Sequence, residues 1–153
     1  MKKMPSDPII IYCDGACSAN QSAKNVRGWG VVLKYKEHVK ELHGGERNTS
    51  NQRMELTACI KALEAIKTKK PVKIFSDSAY LVNCMHQRWH ERWQRNGWKN
   101  AKKQPVENKD LWMHLLKLLE EQDITFHKVE GHAGVEFNER ADELARKGIK
   151  QIE

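Results

Sequence analysis

A chain of 153 residues, 31% charged and 39% hydrophobic, has the size of one domain with a sizeable core, and the lack of repeats or low-complexity tracts excludes fibrous, solenoid and disordered classes. Lys and Arg outnumber Asp and Glu by 27 to 20, for a net charge of +7, a balance that favours a polyanionic partner. No apolar run approaches membrane-spanning length, and Pro5, Ser6 and Asp7 interrupt the start Met1-Lys2-Lys3 before a signal-peptide core forms, so a soluble cytoplasmic protein with no membrane partner is expected.

Three strands come first, over Ile9 to Ala16, Gly28 to Tyr35 and Val39 to Gly45, each rich in β-formers and bounded by glycine or polar residues. Thr49-Ser50-Asn51-Gln52 opens a helix, with Thr49 and Gln52 at capping-box spacing. Leu56, Cys59, Ile60, Leu63 and Ile66 recur at helical intervals and form its buried face. After Pro71 follow a strand from Val72 to Asp77 and a helix from Ser78 to His86. The next stretch carries the turn signal Asn96-Gly97 and reads as helix, turn and extended loop. Asn108 and Asp110 precede an amphipathic helix with Leu111, Trp112, Leu115, Leu118 and Leu119. Asp123 to Val129 alternates as a strand, Gly131-His132-Ala133-Gly134 turns, and a last helix runs from Asn138 to Gly148. Three meandering strands followed by α, β, helices, β and α define an α/β protein with a mixed sheet and helices packed on it.

The positive charge is concentrated. Seven cations and two anions lie between Gln87 and Lys109, five of the seven net charges in one short segment that also holds Trp89, Trp93 and Trp98. Charge alone would describe a solvated helix face. Tryptophans beside cations favour contact with sugars and bases instead. Cys13, Cys17, Cys59 and Cys84 show no metal-site or disulfide spacing, and Cys13 and Cys59 sit at apolar periodic positions, as small core residues do.

Four carboxylates carry the chemistry. Asp14 closes the first strand before Gly15, Glu55 stands near the start of the first helix, Asp77 closes the fourth strand and Asp142 lies on the last helix. Ligands of open α/β sheets bind at the carboxyl ends of strands. Acids gathered there repel one another unless protons or hard cations neutralise them, and oxygen donors favour Mg²⁺ or Mn²⁺. Metal-assisted hydrolysis of a phosphate ester is the chemistry this pattern fits. Singly, each acid reads better as a turn, a cap or a helix-start residue, and only the four together in these contexts favour metal binding.

The blocks Tyr12-Cys13-Asp14-Gly15-Ala16-Cys17, Asn51-Gln52-Arg53-Met54-Glu55-Leu56, Phe75-Ser76-Asp77-Ser78, Gly131-His132-Ala133-Gly134 and Asn138-Glu139-Arg140-Ala141-Asp142-Glu143-Leu144-Ala145 together resemble type 1 ribonuclease H, in the family's order and over about Ile9 to Gly148. Trp93, Gly97-Trp98-Lys99 and Leu111-Trp112 match its basic protrusion and the helix after it. The resemblance implies a single catalytic domain over 1–153, with its core at about 8–148, built on a five-stranded mixed sheet with element order βββαβ, helices, βα. It implies endonucleolytic cleavage of the RNA strand of RNA–DNA hybrids, leaving 5′-phosphate and 3′-hydroxyl ends. Two Mg²⁺ ions, replaceable by Mn²⁺ and about 4 Å apart, would be held by Asp14, Glu55, Asp77 and Asp142. Asp14 would bridge both ions, Glu55 and Asp77 would complete the leaving-group side and Asp142 the nucleophile side. His132 would assist proton movement or product release from a glycine-flanked loop.

The same resemblance assigns the substrate contacts. Asn20, Asn51, Gln52 and Cys17 match positions lining the minor groove, where 2′-hydroxyls distinguish RNA from DNA. Asn138 joins the substrate-binding set. Ser50 matches a threonine in a phosphate pocket for the DNA strand, with Arg27 assisting. Trp89, Trp93 and Trp98 would meet deoxyribose, and Arg92, Arg95, Lys99, Lys102 and Lys103 would meet phosphates. A monomer without an obligate protein partner is expected. The segment Asn20 to Arg27, Ala79, Glu107 and Glu130 depart from the family pattern and bear on affinity and cleavage preference. Two alternatives stay open: a metal nuclease of the same fold acting on DNA, and a non-catalytic hybrid-binding module.

Overall fold

The computed structural model describes residues 7–17, 26–129 and 135–152. Its sheet is formed by β1 (Ile9–Cys17), β2 (Val26–Tyr35), β3 (His38–Arg47), β4 (Val72–Ser76) and β5 (Ile124–Lys128) in the order β3-β2-β1-β4-β5. The first three strands pair antiparallel, and β4 and β5 join in parallel, so the sheet is mixed and β1 occupies its centre. The helices are α1 (Asn51–Glu64), α2 (Ala79–His86), α3 (Trp89–Arg95), α4 (Lys109–Leu119) and α5 (Val135–Ile152). All five strands and the α1, α2, α4 and α5 helices fall where the sequence predicts them, with ends shifted by a few residues; α5 extends further, to Ile152.

Alternation along β1 and β2 divides the core. Ile9, Ile11, Cys13, Val31 and Leu33 face the layer of α1, α2 and α4, where Leu56, Cys59, Leu63, Leu81, Trp112 and Leu115 complete the largest cluster. Tyr12 and Val32 face the opposite layer and pack with Ala141 and Leu144 of α5. An aromatic ladder fastens this second layer, with Tyr12 stacked on Phe75 at 5.2 Å and on Phe137 at 5.3 Å.

Glycines set how closely α5 lies on the sheet. A Cβ at Gly28 would run into the Ala145 carbonyl oxygen, one at Gly30 into that of Ala141, and one at Gly148 into that of Gly44. Helix and sheet therefore meet backbone to backbone, which only glycine permits.

The helix α1 starts differently from the predicted capping box. Ser50, with φ −130° and ψ 165°, is the N-cap, and its Oγ accepts from the Arg53 N–H at 3.1 Å. Thr49 is buried with its Oγ1 unpartnered among the described residues. Because the first turn begins at Asn51, the residue three past the cap is Arg53, not Gln52. The basic segment is a short helix α3 followed by a turn at Gly97, with φ +76°, and a loop closed by the bridge Lys99–Pro105.

Candidate active site

Asp14 lies near the carboxyl end of the central strand, opposite Gly30 of β2. The parallel register of β1 and β4 pairs Tyr12 with Phe75, so Asp77, two residues beyond Phe75, leaves the sheet beside Asp14. Gly15 brings in the third acid: a Cβ there would lie 3.0 Å from the Met54 Cβ and 3.3 Å from the Glu55 nitrogen. The first turn of α1 is thereby pressed against β1. Gly30 brings in the fourth, since Ala141, whose carbonyl packs on it, immediately precedes Asp142. Sequence reading named the four acids; that Gly15 and Gly30 gather them follows only from the packing.

The electrostatics follow from this convergence. Asp14 is buried, 7% exposed, with one oxygen accepting from the Gly15 N–H at 2.9 Å. Burial raises its carboxyl pKa to about 8, with Asp77, Asp142 and Glu55 pushing the same way against the Gly15 bond. Glu55 is also raised, chiefly by burial and further by Asp77, while Ser78 works against the shift. Ser78 is the N-cap of α2: its Oγ accepts from the Leu81 N–H at 3.1 Å and donates to Glu55 Oε2 at 2.5 Å. Asp77 is thus not the cap and stands exposed at the strand end. Asp142 pairs with Arg146 one turn on, at 2.9 Å.

Ser78 engages Glu55 and Arg146 engages Asp142, and no three His, Cys, Asp or Glu among the described residues close into a metal-holding group. The donor set nonetheless fits a hard divalent ion. It consists of carboxylates around a buried acid whose charge the surroundings resist, the arrangement a cation would relieve. Sequence reading missed Ser78 and Arg146 as partners of these acids; only the helix start and the one-turn spacing hinted at them.

This environment has a measurable consequence. Between the ordinary carboxylate value of 3.8 and about 8, folded Asp14 keeps a proton that the unfolded chain has lost. Stability therefore falls as pH rises through that window. Without divalent ions, Asp14 should lower Tm progressively as pH is raised towards 8 in scanning calorimetry, and Asp14→Asn should remove that contribution. An identical pH profile in the variant would show that Asp14 does not carry the proton.

The predicted substrate residues divide between two regions. Ser50, Asn51 and Gln52 surround the start of α1; Asn51 and Gln52 are exposed, and Asn51 Oδ1 accepts from Arg27 Nη1 at 2.8 Å. Cys17 is exposed at the end of β1. Arg92, Arg95, Lys99, Lys102 and Lys103 are exposed on α3 and the loop after it. Trp89, Trp93 and Trp98 pack on the core, with Trp93 5.6 Å from the fully buried Trp112 and 6.0 Å from Trp98. Their first role is to seat the protrusion, which the charge pattern did not reveal. Asn138, on α5, has its Oδ1 buried without a partner among the described residues. Asn20 and His132 lie outside the described residues.

A five-stranded mixed sheet with acids acting on one another at the end of its central strand defines an α/β protein with an acidic strand-end site. The sequence profile of RNase H matches residues 6–150. The chain is 52% identical over 145 residues to ribonuclease H of Syntrophomonas wolfei, covering 94% of this chain and 97% of that one. It is 53% identical over 141 residues to ribonuclease H of Symbiobacterium thermophilum, covering 92% and 94%. Among solved structures it resembles LC9-RNase H1, a type 1 RNase H with the type 2 active-site motif. There the TM-score is 0.82 at 29% identity, over 98% of this chain and 75% of that one. The chain belongs to the ribonuclease H family, a family of nuclease hydrolases.

Proposed function

We propose that this protein is an endoribonuclease that hydrolyses the RNA strand of RNA–DNA hybrids, leaving 5′-phosphate and 3′-hydroxyl ends. The observation that carries the reading is the buried Asp14 at the end of the central strand, with three further acids acting on its charge. The family name shared by relatives at about half identity supports the substrate. Asp14, Glu55, Asp77 and Asp142 would hold two divalent ions, Mg²⁺ or Mn²⁺. Bound there, such ions would supply activation of the attacking water and stabilisation of the leaving 3′ oxygen.

The protein's part is positioning. Asp14, fixed by the Gly15 N–H, supplies the central carboxylate, and Ser78 orients that of Glu55. His132 would move a proton at the leaving group or aid product release. Asn51 and Gln52, exposed on the first turn of α1, carry amides able to donate to and accept from 2′-hydroxyls, with Asn20 and Asn138 as further amides and Cys17 contributing through its backbone. Ser50 Oγ uses a lone pair for the Arg53 N–H, which leaves its hydrogen for a phosphate of the DNA strand. The cations of the protrusion would grip that strand further along, with the exposed edges of Trp89, Trp93 and Trp98 against deoxyribose. Monomeric action in the cytoplasm completes the proposal. Four free cysteines suit a reducing compartment, and no helix among the described residues is long and apolar enough to cross a membrane.

The test is incubation with labelled RNA–DNA hybrid, duplex DNA and duplex RNA, each with Mg²⁺, Mn²⁺ or EDTA. Cutting of the RNA strand of the hybrid alone, lost in EDTA, is the expected result; cleavage of duplex DNA, or tight binding with no cleavage, would overturn it. Replacing Arg95 and Lys99 together by alanine should raise KM for hybrid with little change in kcat. It should also reduce the slope of log KM against log salt by about two, one for each cation removed from a phosphate. Unchanged kinetics would return these side chains to an ordinary solvated face.

A further inference from the structure

Arg53 lies on the first turn of α1, between the Asn51–Gln52 pair and Glu55, and its guanidinium reaches the head of α4. Nη1 donates to Asp110 Oδ1 at 3.0 Å and Nη2 to Asp110 Oδ2 at 2.8 Å, a two-pronged pairing, and Nη1 also donates to Asn108 Oδ1 at 3.3 Å. Asn108 precedes α4 at φ +62° and makes no side-chain cap. Its amide instead donates to the Tyr80 hydroxyl at 3.3 Å, which also accepts from Trp112 Nε1 at 2.7 Å. Tyr80 is three residues past Asp77, and Trp112 packs edge-on against Trp93 of α3 at 5.6 Å. One continuous set of interactions thus ties the start of α1, the start of α2, the head of α4 and the seat of the basic protrusion.

This pairing is ill suited to stabilising the fold. Arg53 and Asp110 side chains are 32% and 66% exposed, and exposed ion pairs contribute little to stability. What a planar fork on a carboxylate does provide is a fixed distance and orientation. It does so between the two regions that the proposed function assigns to the two strands of the hybrid. Helix α4 begins directly after the return of the protrusion, where Val106 is buried and donates its N–H to the Trp98 carbonyl at 3.0 Å.

We propose that Arg53 and Asp110 form a clasp that holds the Asn51–Gln52 edge of α1 at a set spacing from the basic protrusion, so that both strands of a hybrid are gripped in register. Arg53 is a positioning residue in this account, which rests on the hybrid-cleaving function proposed above. Asp110→Asn gives the sharpest test because two ideas predict opposite signs. Removing a negative charge beside a polyanion-binding face should lower KM by electrostatics alone. Opening the clasp should raise it, by roughly fivefold with kcat within twofold, the scale of one charge-assisted hydrogen bond. Arg53→Gln should raise KM to a similar extent, and the double variant should be no worse than either single one, since each of the three proteins lacks the same ion pair.

A lowered or unchanged KM in Asp110→Asn, or a salt slope reduced by about one in Arg53→Gln alone, would overturn the clasp; the second result would make Arg53 a phosphate ligand. A readout without substrate separates this from the function itself. In protein labelled with 5-fluorotryptophan, the ¹⁹F resonances of Trp93, Trp98 and Trp112 should shift or broaden in Asp110→Asn while Tm stays within a few degrees. Unmoved resonances overturn the clasp whatever the substrate. Should Asp110→Asn fail to fold, Arg53→Lys, which keeps the charge and loses the fork, replaces it in both measurements with the same expected signs. A wild-type protein that leaves hybrids intact overturns the proposed function, whereas the fluorine spectra still decide the clasp.

Discussion

Asp14→Asn is expected to lower kcat for hybrid cleavage by about 10³-fold or more, with the protein still folded and still binding hybrid. The substitution keeps the shape of the side chain and the acceptor for the Gly15 N–H. It removes the charge at the one position on which the other three acids act. Because the protrusion and the start of α1 are untouched, KM should change far less than kcat, the pattern for a group whose contribution belongs to the transition state. The loss should also not be rescued by raising Mg²⁺ or Mn²⁺. Steady-state kinetics across a metal titration make the check. Residual kcat within tenfold of wild type would remove Asp14 from the centre of the mechanism and, with it, the reading of the four acids as one site. Metal-free Asp14→Asn should meanwhile be more stable than wild type above pH 8, since it no longer confines a buried charge.

Gly30→Ala should produce a large loss of stability for so conservative a change in the sheet. The added Cβ would collide with the Ala141 carbonyl oxygen and lie 2.6 Å from the Ala145 nitrogen and 2.8 Å from the Leu144 Cβ. Most of those atoms are backbone, so no side-chain rotation relieves the overlap and α5 must lift from the sheet. A cost of about 3 kcal/mol is expected, at the upper end for overpacking, which corresponds to roughly 6–12 °C in Tm for a domain of this size. Activity should fall further than the folded fraction does, because Asp142 rides on the turn that moves. Gly97→Ala is the informative control: its Cβ would meet nothing within 4 Å, and only the φ of +76° opposes it, for about 1 kcal/mol. Calorimetry and kinetics on the pair would expose an error if Gly30→Ala melted no lower than Gly97→Ala.

Both expectations show how a fold of modest size builds its site from backbone contacts. The carboxylates come from three separate layers: β1 and the end of β4 in the sheet, α1 on one face and α5 on the other. Glycine at 15 and at 30 lets the two helices approach the same strand end from opposite sides. Ser78 and Arg146 then hold two of the acids that their neighbours repel.

Much of this was legible in the residues alone. Apolar periodicity located the strands and the long helices because burial on one face imposes it locally, at period two along β1 and 3.6 along α1. The four acids were legible because each stands at an element boundary within a distinctive block, and the match of those blocks to ribonuclease H named them together. Other features depended on contacts distant in sequence. Whether Thr49 or Ser50 caps α1 turned on a shift of one residue in the helix start, at the turn that lies against Gly15. Whether Trp93 and Trp98 face a ligand or the core turned on Trp112, a residue beyond the protrusion's return. The tie between Arg53 and Asp110 spans 57 positions, and the raised pKa of Asp14 arises from charges 41 or more positions away once burial is set aside. The sequence by itself determined which groups are present and which local elements carry them. Only the tertiary structure decided which groups meet, because electrostatic and steric energies depend on distance in space, and chain separation does not report it.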